Sequence, residues 1–82
     1  MEKTIYTQHS ILIREAIQRV REKAELSQRE LCSLLDREHS FISKCELGER
    51  RIDIAEFFWI CKACGASPKK EASALMSAFE KL

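Results

Sequence analysis

Leu26-Ser27-Gln28-Arg29-Glu30-Leu31-Cys32-Ser33-Leu34-Leu35-Asp36-Arg37-Glu38-His39-Ser40-Phe41-Ile42-Ser43-Lys44-Cys45-Glu46-Leu47-Gly48-Glu49-Arg50-Arg51 is the stretch that decides the fold. Ser27 and Glu30 are spaced as a capping box. The serine hydroxyl accepts from the Glu30 amide, and the glutamate carboxylate reaches back to the Ser27 amide. A short helix therefore opens at Ser27, with Leu31, Leu34 and Leu35 as its apolar face and Cys32 as a small buried residue. Asp36-Arg37 interrupts the apolar pattern. A second short helix follows on Phe41, Ile42 and Cys45, and Gly48 ends it as a left-handed cap.

Helical periodicity continues on both sides. Upstream, Ile13, Ala16, Ile17, Val20 and Ala24 recur at spacings of three and four, with Arg14, Glu15, Gln18, Arg19, Glu22 and Lys23 opposite. Ser10 is the expected N-cap of that helix, which stops near Glu25. Downstream, Glu49-Arg50-Arg51 is a polar connector, and Asp53 caps a helix bearing Phe57, Ile60, Cys61 and Cys64 up to Gly65. Ser67-Pro68 opens a last helix, with proline at its favoured first position and Ala72, Leu75, Met76, Phe79 and Leu82 as the apolar stripe. The expectation is an all-α chain, five short helices in one compact bundle over residues 1–82, with the two-helix motif at about 27–48.

Composition excludes the alternatives. Two glycines, one proline and no asparagine leave no hairpin punctuation for a β fold. Eighty-two residues suit one domain. A chain this short buries only roughly 60–65% of its unfolded surface, so a second copy is a natural stabiliser. At 45% hydrophobic and 33% charged it has the apolar mass for a core. No apolar run reaches the ~18 residues of a membrane span. The N-terminus, Met1-Glu2-Lys3-Thr4, does not read as a secretory signal, so the expected location is cytoplasmic. His9 and His39 are the only histidines, no nucleophile or carboxylate pairs with them by spacing, and there is no phosphate-binding glycine loop. The chain reads as non-catalytic, without a cofactor.

The Leu26–Arg51 stretch resembles the Cro and phage-repressor (xenobiotic-response-element) type of helix-turn-helix regulator, with a lambda-repressor-like fold. The resemblance rests on Leu26-Ser27-Gln28, the small residue and leucines that follow, the tail Ile42-Ser43-Lys44-Cys45-Glu46-Leu47-Gly48 and its continuation Glu49-Arg50-Arg51-Ile52-Asp53, and it runs from about Ile13 to Pro68. Where the family usually places glycine, this chain has Glu25 and Asp36. If both are left-handed, Asp36 is tolerated and Glu25 costs about 1 kcal/mol. Cys32 and Cys45 replace the usual alanine and the usual isoleucine or aromatic, and pack as small hydrophobes.

The resemblance implies a second motif helix in the major groove of double-stranded DNA, with the first bridging the backbone. With Phe41, Ile42 and Cys45 inward, His39, Ser40, Ser43 and Lys44 are the expected base-reading residues; lysine donates to guanine O6 and N7, and serine and histidine donate or accept. Gln28, at a helix N-terminus, and Arg37, Arg50 and Arg51, flanking the recognition helix, are the expected phosphate contacts. The competing reading keeps all of these as ordinary solvated side chains. The resemblance also implies an ion pair of Arg21 with Glu46 that sets the recognition-helix angle.

Cys61-Lys62-Ala63-Cys64 has the spacing of half a zinc site, which Cys32 and Cys45 would have to complete. All four cysteines fall on apolar helical positions, no second such pair exists, and no secretory signal favours disulfides. Packing is the reading adopted, with no metal. The expected function is a DNA-binding repressor-type regulator acting as a homodimer. Phage repressors, restriction-modification controllers and antitoxins remain open as kinds. Phe58, Trp59, Leu75, Met76, Phe79 and Leu82 are the expected dimer surface, with residues 67–82 as its helix. The alternative is a module that docks another protein, such as a toxin or polymerase.

Overall fold

The structure is a computed structural model that describes the backbone of residues 3–82 and the side chains from residue 7 onward. Met1 and Glu2, part of the polar N-terminal stretch, lie outside the described residues. Among the described residues the secondary structure is helical only: α1 Lys3–Lys23, α2 Gln28–Leu34, α3 Phe41–Leu47, α4 Ile54–Ala63 and α5 Pro68–Glu80. α1 packs on α3, α4 and α5, and α2 packs on α3 and α4. Each helix contributes to one core: Ala16, Ile17 and Val20; Leu31 and Cys32; Phe41, Ile42 and Cys45; Phe57, Ile60 and Cys61; and Leu75. No polar or charged residue is buried among those described.

The helix starts follow the expected chemistry. The Glu30 amide donates to Ser27 Oγ at 3.0 Å, and the Ser27 amide donates to the Glu30 carboxylate at 2.8 Å. Asp53 and Glu56 form a second reciprocal box, at 2.7 and 3.0 Å. Ser67 caps α5 through the Lys70 amide, with Pro68 in the first helical position.

The first four helices end in the same way, each with one left-handed residue: Glu25 (φ 59°), Asp36 (φ 54°), Gly48 (φ 83°) and Gly65 (φ 73°). At each end the residue after the left-handed one donates five residues back, as Leu26 does to the Arg21 carbonyl and Arg37 to that of Cys32. This closure occupies carbonyls that a helix end leaves open.

Two expectations need correction. Ser10 is not an N-cap; it lies half-buried inside α1, which begins at Lys3. No glycine or proline precedes it to stop propagation, and an internal serine costs only about 0.5 kcal/mol relative to alanine. The early turns of α1 also gain a tertiary contact, the His9 ring standing edge-on to Phe79 with centroids 4.5 Å apart. Leu34 is not on the core face of α2: it is 61% exposed. A helix turns about 100° per residue, so Leu31, Cys32 and Leu35 share one arc and Leu34 falls past its edge.

Candidate nucleic-acid interface

α2, the turn at residues 35–40 and α3 make up the helix-turn-helix. α3 is too short to be stable alone. Phe41, Ile42 and Cys45, each at most 1% exposed, anchor it. Its orientation is fixed from α1. Arg21 donates from Nε to one Glu46 carboxylate oxygen at 2.7 Å and from Nη2 to the other at 3.0 Å. Arg21 Nη1 also reaches the Leu26 carbonyl at 2.9 Å. Both side chains are largely shielded, at 12% and 6% exposure. The Glu46 bond raises the Arg21 pKa further above its ordinary value, with burial opposing.

The same carboxylate accepts from Gln28 Nε2 at 2.9 Å. Gln28 therefore stands at the start of α2 with its amide directed to Glu46, and only its remaining N–H and its carbonyl are uncommitted to that bond.

The four expected base readers do not share one environment. Lys44 is exposed on α3. Ser43 is half-buried and its hydroxyl donates to the Ser40 carbonyl at 3.1 Å. His39 and Ser40 precede α3 rather than lie within it: Ser40 is its N-cap residue without a side-chain cap bond, and His39 is exposed. His39 Nδ1 lies 3.1 Å from Arg29 Nη2, so Arg29 of α2 joins the same surface. Nothing in the sequence pattern singles Arg29 out.

Two of the expected phosphate contacts, Arg37 before α3 and Arg50 after it, are organised by Glu56, a residue the sequence reading did not assign. Its carboxylate accepts from Arg37 at 3.1 Å, from both terminal nitrogens of Arg50 at 2.9 and 2.8 Å, and from the Asp53 amide. Both guanidinium groups also lie over the Phe41 ring, 3.8 and 4.9 Å from its centroid. The Arg50 hydrogen bonds, with those of Asp53 and Arg37, hold the Glu56 carboxyl down at about 2 despite burial. The signal for Glu56 was present: Asp53-x-x-Glu56 is a capping-box spacing. Arg51 is exposed in the connector.

Of the expected dimer surface, Leu75 must be withdrawn as an exposed contact: it is only 8% exposed and closes the chain's own core. Phe79 is half-buried against that core and His9. Phe58, Trp59, Met76 and Leu82 are exposed, and Phe58 and Trp59 meet edge to face at 5.0 Å. The cysteines are free thiols, three buried and Cys64 half-buried. Burial pushes Cys61 up to about 11 and raises Cys45 and Cys64, which disfavours the reactive thiolate. No group of three or more His, Cys, Asp or Glu gathers to hold a metal among the described residues. None of the described helices is long and apolar enough to cross a membrane.

A capped α2, a tight turn and an α3 pinned from α1 define a helix-turn-helix domain, and the family model for a helix-turn-helix domain matches residues 13–75. A solved structure, the XRE-family like protein from Pseudomonas syringae pv. tomato str. DC3000, is 34% identical over 93% of both chains with a TM-score of 0.86. No curated protein matches. The chain belongs to the Cro/XRE-type helix-turn-helix family, a DNA-binding regulator kind whose fold is typical of non-enzymatic proteins.

Proposed function

We propose that the protein is a non-catalytic, sequence-specific regulator of transcription that binds a two-half-site operator as a homodimer. The observation that carries this reading is the placement of α3. Its buried face is locked by Phe41, Ile42, Cys45 and the Arg21–Glu46 pair, while Lys44 and, just before the helix, His39 are left exposed. A helix held in this way presents its outer face to base edges at a defined angle. Lys44, His39, Ser40 and Ser43 read bases, and Gln28, Arg37, Arg50 and Arg51 approach phosphates. One recognition helix reads too few base pairs to select a single operator, so two copies spaced about 34 Å apart supply the rest. Exposed Phe58, Trp59, Met76 and Leu82 support that pairing. The same exposed aromatic pair supports the second reading, docking of another protein. We place residues 1–82 in one domain and the protein in the cytoplasm.

Selection of bound duplexes from a random pool, run with wild type and Lys44→Ala, tests the proposal. The wild type should recover an inverted repeat. Lys44→Ala should weaken binding to it by about 1–3 kcal/mol and relax particular base pairs. Failure of the wild type to enrich any sequence refutes the reading.

A further inference from the structure

The early turns of α1 and the connector after α3 enclose a cavity of about 440 Å³. Ser10, Arg14, Gly48, Arg50 and Arg51 are among its walls, and no acidic residue is among the described ones. Arg14 is the unusual member. Its guanidinium lies against the Gly48 backbone, so close that a Cβ on Gly48 would come within 2.6 Å of Nη1. Its Nε is shielded from water with no hydrogen-bond partner, and Arg14 makes no ion pair among the described residues.

The negative end of the α3 dipole favours a cation at Gly48, but Arg14 Nε closes no hydrogen bond to a carbonyl there. The Cys45 carbonyl already accepts from the Gly48 amide, and that of Lys44 from the Glu49 and Arg50 amides. Packing does not explain the placement, since a half-buried cation without a counter-charge is a cost. The Arg50 charge is balanced by Glu56, but that carboxylate is shared with Arg37. Among the described residues, Arg14 therefore brings to the pocket a guanidinium that no carboxylate pairs. Guanidinium groups match the geometry of phosphate oxygens.

We propose that this cavity is a phosphate-oxyanion site with Arg14 as its principal ligand, and that the occupant is a backbone phosphate of DNA; the second clause rests on the DNA-binding reading. Gly48 stands four residues beyond Lys44, about 6 Å further along the helix axis. A helix that gives its N-terminal residues to base edges leaves the major groove at its other end, where the phosphates line the wall.

The test compares wild type, Arg14→Gln and Arg14→Lys in two measurements. The first is binding to a labelled mixed-sequence duplex as a function of salt. Loss of one phosphate contact makes the slope of log K against log salt shallower by about 0.9 in Arg14→Gln, while Arg14→Lys retains the wild-type slope. The second is thermal unfolding in inorganic phosphate against chloride at matched ionic strength. Phosphate should raise the wild-type melting temperature and not that of Arg14→Gln. Without phosphate, Arg14→Gln should melt no lower than wild type, because it removes a half-buried charge that has no ion-pair partner among the described residues. A phosphate effect with an unchanged DNA slope supports the site and assigns it to a free phosphate. Wild type that binds duplex, with neither effect in Arg14→Gln, overturns the site and leaves the DNA-binding reading standing. Wild type that binds no duplex refutes that reading, and the phosphate measurement alone then supports or overturns the site.

Discussion

Glu56→Gln isolates one charge in a network whose geometry is otherwise preserved. Glutamine keeps the shape, and its side-chain oxygen can still accept from the Asp53 amide, so the α4 cap survives. What is lost is the negative charge between Arg37 and Arg50. The Arg50 hydrogen bonds first, then the Asp53 amide and Arg37, bring the Glu56 pKa from 4.5 to about 2 against the opposing effect of burial, which sets the scale of that interaction. At about 1.4 kcal/mol per pH unit it amounts to about 3 kcal/mol. The side chain is only 15% exposed, so solvent screening removes little of it. The sign follows from the direction of the shift: a depressed carboxyl stabilises the fold fully above its unfolded pKa, and the contribution disappears as pH falls through the folded one. Urea denaturation of wild type and variant at equal protein concentration should show a gap of about 2–3 kcal/mol at pH 7. The gap should narrow from about pH 5 downward and fall below about 1 kcal/mol near pH 2. A gap that does not change with pH, or one below about 1 kcal/mol at pH 7, refutes the assignment of this stability to the carboxylate charge.

Two further outcomes follow from named contacts. Glu46→Ala leaves Arg21, 12% exposed, without its partner and frees the Gln28 amide; denaturation should show a loss of about 3–5 kcal/mol, and a loss under about 1 kcal/mol counts against the pair as the fastener of α3. Trp59→Asp, at a 59% exposed site outside the core, should leave the monomer folded but shift sedimentation from dimer to monomer; an unchanged profile moves the dimer surface away from α4.

Helix starts were legible because a cap is a local matter: Ser27 with Glu30, Asp53 with Glu56 and Ser67 with Pro68 are each set by residues three apart or fewer. The helix ends near Glu25 and Asp36 were legible from the Ser27 start signal and the break in the apolar pattern, but their left-handed backbone only through the family resemblance, since neither residue type announces it. The start of α1 was misjudged because a serine inside a helix resembles a cap when the tertiary contact that extends the helix, His9 on Phe79, is not visible. Leu34 and Leu75 went astray for a shared reason. An apolar stripe says which residues lie near one another on a helix, and only the neighbouring helices decide which edge of it is covered. The partners of the basic residues were hidden most deeply. Arg37, Arg50 and Glu56 meet across separate segments, and the unpaired guanidinium of Arg14 is a property of what surrounds it rather than of any spacing.

The convergence of Arg37, Arg50 and the Asp53 amide on one carboxylate also bears on how α3 opens. Arg37 belongs to the turn before α3 and Arg50 to the connector after it, so both flanks of a seven-residue helix are moored to the first turn of α4. Neither end can fray without breaking a bond at the same anchor. Partial opening from one side is thereby suppressed, and the helix is released as a block. Amide protons of α3 would then exchange together and at the pace of the α4 first turn, although an isolated helix of this length would be unprotected.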